Sequence, residues 1–241
     1  MQDLIRAEVL KLRTTRGAAL LLLGAVGIIV FTIVTPGENA LREFDQPLHE
    51  QQGVLIVSML VRILLLVLGI RAVTEEFRHG TITPTLLVAP GRHKVVAAKA
   101  VALAGAGAIF ALVTVATLLL SMNLVASMND IEVAPLSEGW RTLLGTLATA
   151  VIWPVVGLGI GLLVRSQVAA IVGGVVWLMG LEQMIGGRLG RMGDFLPGEA
   201  GLAGAIAPSN RALWIDSLAL FGWAVVTSIG GAVMLKRRDI G

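Results

Sequence analysis

Six long apolar runs dominate this sequence and leave few folds open to it. A hydrocarbon core of about 30 Å takes about 20 apolar residues in helical form to cross. Residues 17–35, 53–74, 95–121, 143–164, 168–186 and 213–235 meet that length, with at most two charged residues in any run. Unbroken runs are not the alternating pattern of a membrane barrel, so each is read as a helix. Only 15% of residues are charged, against roughly 25% in a soluble domain, and the charges are bunched between the runs. The sequence pI near 9.9 reflects basic residues that flank apolar segments. It points to a membrane surface rather than to nucleic acid. The fold class predicted is an all-α integral membrane protein with six transmembrane helices.

The basic residues also predict the topology. With both termini cytoplasmic, thirteen of the nineteen Lys and Arg residues fall inside and five outside, and Arg62 is left within the second span. That asymmetry satisfies the positive-inside rule. Trp140 and Trp214 then stand at outer helix ends, where aromatic rings anchor to the interface. The apolar run at 17–35 follows sixteen mostly polar residues and lacks a small-residue cleavage site after it, so it is read as a retained span. Residues 1–16 form an amphipathic cytoplasmic helix with Leu4, Ile5, Val9 and Leu12 on one side, an arc that Glu8 interrupts. Residues 17–241 form the transmembrane domain.

Three connections stand out. Arg165, Ser166 and Gln167 alone join the fourth and fifth spans, which must form an antiparallel hairpin. The large outside loop, 187–212, is rich in Gly, carries Pro197 and Pro208, and has room for short re-entrant or surface helices. The cytoplasmic loop 75–94 opens on Glu75, Glu76, Phe77, Arg78 and His79. Gly80 permits a turn, Thr81 or Thr83 can cap a helix, and Pro84 suits a first turn. The apolar patch Leu86, Leu87, Val88 follows, and Pro90 and Gly91 end the helix. A short helix showing leucines to the cytoplasm invites a partner.

Glu-Glu-Phe-Arg-His-Gly-Thr-Ile, then Thr-Leu-Leu, Pro-Gly-Arg and Ala-Lys, resembles the first cytoplasmic loop of ABC type 2 exporter permeases. Ala7 to Thr14 resembles the amphipathic connecting helix of the same family. The likeness implies a short coupling helix in loop 75–94, a dimer with a second copy or a sister permease, and docking on a separate ATPase subunit. Carried over onto this sequence, the docking residues are Glu8, Lys11, Arg13, Glu75, Glu76, Phe77, Arg78, His79, Gly80, Thr81, Ile82, Leu86 and Leu87. ATP and Mg²⁺ belong to the partner ATPase, no cofactor to this chain, and the likeness places the protein in a cell inner (plasma) membrane.

Charges inside the spans form a second set of candidates. Arg62 lies near mid-membrane, where an unpaired charge costs several kcal/mol. Glu182 falls at a similar depth and is its candidate partner, either as a structural pair or in the transport path. Lys99 and Arg71 sit near inner ends where they can snorkel, and Asp216 sits at a solvated outer end. Trp153-Pro154 can kink the fourth span, and Gly157, Gly159 and Gly161 make its next turns flexible or closely packed. Ala170 and Gly174 suit either a dimer seam or packing within the chain.

Other function classes fit less well. With no cysteine, disulfides and thiolate sites are excluded, and His49, His79 and His93 are not at metal-ligand spacing. A glutamate-type membrane protease needs His and Asn or Asp within the spans. A Walker phosphate loop is missing, so ATP hydrolysis by that route is excluded. A stand-alone secondary carrier could use Arg62 and Glu182 but shows no repeat, and a membrane immunity protein needs no exposed loop. A bundle lined with Gly, Ala, Leu and Val suits a hydrophobic or amphipathic cargo such as a lipid, drug or peptide.

Overall fold

The computed structural model describes residues 1–36, 39, 52–81, 91–130, 136–206 and 213–237. Among them every regular element is helical: α1 (Gln2–Thr14), α2 (Arg16–Val34), α3 (Gln52–Arg78), α4 (Arg92–Asn129), α5 (Leu136–Val164), α6 (Gln167–Val176), α7 (Glu182–Leu189), α8 (Pro197–Ile206) and α9 (Leu213–Arg237). A π-helical turn (Trp177–Leu181) joins α6 to α7, and a 3₁₀ segment (Gly190–Phe195) leads to α8. Six helical stretches among the described residues are long and apolar enough to cross a membrane. Several run beyond the apolar stretches read from sequence. At 1.5 Å per residue the 38 residues of α4 reach about 57 Å, far more than the hydrocarbon layer needs.

The centre of the bundle is α5, which packs against α3, α4, α8 and α9. Glycine makes those approaches possible. A side chain at Gly69 of α3 would collide with the Pro154 carbonyl of α5, and one at Gly157 with the Leu66 carbonyl of α3. Gly159 meets Thr227 of α9 in the same way. The glycines after Pro154 therefore serve close packing. Pro154 cannot donate to the carbonyl four residues back, that of Ala150; this carbonyl rests against Gly107 of α4. Trp153, Leu65, Leu66, Ile70 and Leu220 fill the surrounding core. Gly69→Val is expected to destabilise the protein by about 2–3 kcal/mol, read as a lower midpoint of unfolding in detergent. Gly24→Ala, on an open helix face, should leave it within about 0.5 kcal/mol.

The predicted hairpin at residues 165–167 is present. Arg165 takes a left-handed backbone (φ 58°), and the Ser166 hydroxyl accepts from the Ala169 amide at the start of α6. Ala170 and Gly174 face α3, where a side chain at Gly174 would press on Leu66. The small pair thus serves packing within the chain. Along this span Ala170, Gly174, Leu178 and Glu182 point inward. A four-residue stride drifts about 40° per step on an α-helix. The wider π turn takes up drift over its last step and brings Glu182 to the inner face.

Candidate functional site

At the α1 end of the bundle a cluster of four charges joins three helices, three of the four buried and Lys11 at the rim. The chain turns a corner at Thr15, whose extended backbone separates α1 from α2, so α1 lies against α4. Its inward stripe is Leu4, Ile5, Glu8 and Leu12, while Val9 and Leu10 are exposed. The inward face is therefore centred on Glu8 rather than on the apolar arc through Val9. The reason is Lys99 of α4, 2% exposed, whose ammonium donates to Glu8 Oε2 at 2.7 Å and to Glu76 Oε1 at 2.6 Å. Lys11 donates to the remaining oxygen of Glu8 and to the same oxygen of Glu76, both at 2.8 Å. Two lysines and two glutamates neutralise one another, as buried charges must. Lys99 does not snorkel: two carboxylates reach it inside the protein.

The rest of the predicted docking set divides by exposure. Phe77 turns inward beneath the Arg165 guanidinium, 5.2 Å from its ring centre. Glu75 receives Arg71 Nε at 2.8 Å. Arg13, Arg78, His79, Gly80 and Thr81 are exposed. The turn predicted at Gly80 ends α3: Thr81 N donates to Glu76 O (3.0 Å), Gly80 N to Phe77 O (3.4 Å), and Gly80 holds φ 66°. This is a Schellman end, which needs a left-handed residue at that position. Ile82, Leu86 and Leu87, and with them the predicted coupling helix, lie outside the described residues.

Burial lowers the proton affinity of Lys11, but its hydrogen bonds to Glu76 and Glu8 outweigh that and raise its pKa above the ordinary 10.5. A raised pKa means the folded state holds this proton more tightly than the unfolded chain. The resulting stabilisation is complete below pH 10.5 and is lost as pH climbs through the higher folded value. Melting temperature measured from pH 9 upward is expected to fall in that alkaline range in the native chain, and less steeply in Lys11→Met.

At the far end a second polar group fastens α8 into the bundle. Arg62, 9% exposed, donates to the Ser58 carbonyl at 3.1 Å and to the Gly198 carbonyl at 2.7 Å. Glu182, 2% exposed, accepts from the Glu199 amide at 2.8 Å. Arg62 and Glu182 do not meet as an ion pair; they grip the first turn of α8 from two sides. That turn offers open amides, which favour a carboxylate. A side chain at Gly198 would strike Glu182, and one at Gly201 the Trp153 indole. The loop at 187–212 thus contributes an inserted helix whose Ala200 is fully buried. Asp216, expected to be solvated, is fully buried and partnered, at the start of the helix against which α8 packs. Trp214 is 64% exposed, as an interfacial anchor is.

Sequence reading missed the role of Lys99. The signal available was Glu8, an acid in the middle of an otherwise apolar arc.

A family model described as ABC-2 family transporter protein matches residues 4–180. The chain belongs to the ABC-2 transporter family. It is a multi-pass membrane permease, the membrane component of an ABC transporter. All four residues of the inner charge cluster, and Arg62, fall within the ABC-2 match; Glu182, α8 and α9 follow it. Membership implies association with an ABC ATPase. A comparison with curated proteins gives no match.

Proposed function

We propose that this permease is the membrane half of an ATP-driven exporter, docked through α1 and loop 75–94 on a separate ATPase that binds ATP and Mg²⁺. The family match carries the reading. The arrangement of charges supports a division of labour within the docking set. Arg13 on α1, with Arg78 at the end of α3 and His79 and Thr81 after it, are exposed and available to a partner, and Leu10 beside them adds an exposed apolar contact. Glu8 and Glu76 face inward with Lys99, and Lys11, half-exposed, closes the group from the rim. The exposed residues receive the ATPase, and the buried charges make α1 move with α3 and α4. A push on α1 then reaches the spans without a flexible joint, as coupling through a packed element requires. In this reading the α1 end is cytoplasmic, the membrane is the inner (plasma) membrane, and the permease works as a dimer with a second copy or a sister subunit. Arg62 and Glu182 act on the path through α8. The cargo is hydrophobic or amphipathic, in keeping with the apolar bundle.

The test is capture of the tagged chain from native membranes, followed by mass spectrometry of what accompanies it. A soluble ATPase is expected, and Leu86→Asp with Leu87→Asp is expected to remove it. A stable chain that comes down alone would sink the reading.

A further inference from the structure

The short hairpin at residues 165–167 brings α6 against α3, and a cleft of about 630 Å³ opens between the end of one and the start of the other. That is within the size range of small-ligand sites. Its level in the bilayer follows from the spans. One candidate span ends at Arg78 and another begins at Gln167, so the cleft sits where two helices leave the hydrocarbon at the same edge. Phe77, Val168, Ile171 and Val172 give it an apolar wall, and both valines are exposed. Arg78, Arg165 and Ser166 also line it. Arg78 is exposed, and its contact among the described residues is the neighbouring His79 ring at 3.3 Å. Arg165 is held in place: its Nη2 donates to the Met234 carbonyl at 3.1 Å, and its guanidinium covers the Phe77 ring. Among the described residues no Asp or Glu lines the cleft. The two acids of the adjoining α3 turn are engaged elsewhere, Glu75 with Arg71 and Glu76 with the two lysines. The cleft therefore joins an apolar wall at the bilayer edge to a cationic lining.

We infer that this cleft takes an anionic membrane phospholipid, its phosphate beside Arg78 and Arg165 and the upper part of an acyl chain along Val168, Ile171 and Val172. Every phospholipid brings a phosphate; the rest of the headgroup decides between them. The cation of a zwitterionic headgroup would enter a cationic lining with no acid to receive it, whereas a glycerol headgroup adds no positive charge. Attraction of a net negative lipid to interfacial arginines follows, and the cleft distinguishes lipids that share the same chains. An acidic protein segment would also suit the arginines, but the valines open at the level of the bilayer, where acyl chains surround them. The inference goes beyond the transport reading and stands without it. It shares Phe77 and Arg78 with the docking set, and binding is measured on the permease with no ATPase present.

The full chain, delipidated in detergent, is titrated with phosphatidylglycerol, phosphatidylethanolamine and phosphatidylcholine of matched chains, and bound lipid is read by native mass spectrometry. Phosphatidylglycerol is expected to bind about tenfold more tightly than either zwitterionic lipid. Arg78→Gln should weaken phosphatidylglycerol about fivefold and leave phosphatidylcholine within about twofold. Ser166→Asp keeps a good cap on α6 and sets an acid in the lining, so it should also weaken phosphatidylglycerol about fivefold; it carries the test if Arg78→Gln does not fold. Arg188→Gln, an exposed arginine that does not line the cleft, should leave the preference unchanged. Equal binding of the three lipids, a preference that survives both cleft variants, or one that Arg188→Gln reduces as much as they do, overturns the proposal. So does displacement of phosphatidylglycerol by glycerophosphoglycerol at matched concentration, which would make this a site for a free phosphate ester. Loss of ATPase co-purification in Arg78→Gln, with no lipid preference in the native chain, would give the cleft to the protein partner and overturn it as well.

Discussion

Lys99→Met is expected to remove about 3–5 kcal/mol of folding free energy, the usual consequence of deleting one member of a buried charge group. The substitution keeps the length and apolar stem of the side chain and takes away only the ammonium. Glu8 and Glu76, each 7% exposed, would then share Lys11 alone, whose side chain is 45% open to water. Two carboxylates left close together with half their compensation repel, and the cheapest relief is for α1 to swing away from α3 and α4. Equilibrium unfolding in mixed detergent should show the loss. Hydrogen exchange should show α1 amides opening well before those of α5. Adding Glu8→Gln to Lys99→Met removes one orphaned charge and should recover part of the loss, a coupling that a double-mutant cycle isolates. Lys99→Arg keeps the charge but brings a planar fork to a site shaped for a compact ammonium, so it should fall between the two. A Lys99→Met protein within about 1 kcal/mol of the native chain would show that water enters the cluster.

That cluster marks where sequence reasoning succeeded and where it stopped. Length and hydropathy placed all six spans, because a span must satisfy its own backbone bonds and so announces itself locally. The Arg165 hairpin and the Gly80 turn were legible for the same reason: each depends on a few adjacent residues. Glu8, Glu76 and Lys99 are separated by 68 and 23 positions, and nothing local says that they meet. Depth alone suggested snorkelling for Lys99, and only the packing of α1 on α4 shows that carboxylates reach it first. Asp216 was misjudged similarly: it is fully buried, and position near a span end does not say what packs over a side chain. Arg62 and Glu182 both reach the first turn of α8, and the atoms they hold there are backbone groups, which side-chain chemistry read along a sequence does not reveal.

Glu182→Leu is expected to be the second large effect, about 3–5 kcal/mol, and to be concentrated on α8. The Glu199 amide would lose its acceptor in a site closed to water, and Arg62, whose compensating acids are Glu182 and Glu199, would lose one of them. Glu182→Gln retains a carbonyl oxygen for the Glu199 amide and sheds only the charge, so it should cost markedly less, about 1–2 kcal/mol. Arg62→Leu leaves the Gly198 carbonyl without its donor, a penalty of about 1–3 kcal/mol, and should be partly offset in the double variant with Glu182→Leu, which also removes the opposing charge. Gly198→Ala reaches the same place by a different route: its methyl would press on the Glu182 carboxylate and lever α8 outward while every polar group remains. Hydrogen exchange at residues 198–201 reads all four variants on one scale. The expected order of protection is native, then Glu182→Gln, then Arg62→Leu, then Glu182→Leu, with Gly198→Ala below native although its polar groups are intact. If Glu182→Leu leaves these amides as protected as in the native chain, then packing by Trp153 and Ala200 holds α8 without the polar grip. Arg62 and Glu182 would in that case be free to serve a passing substrate instead.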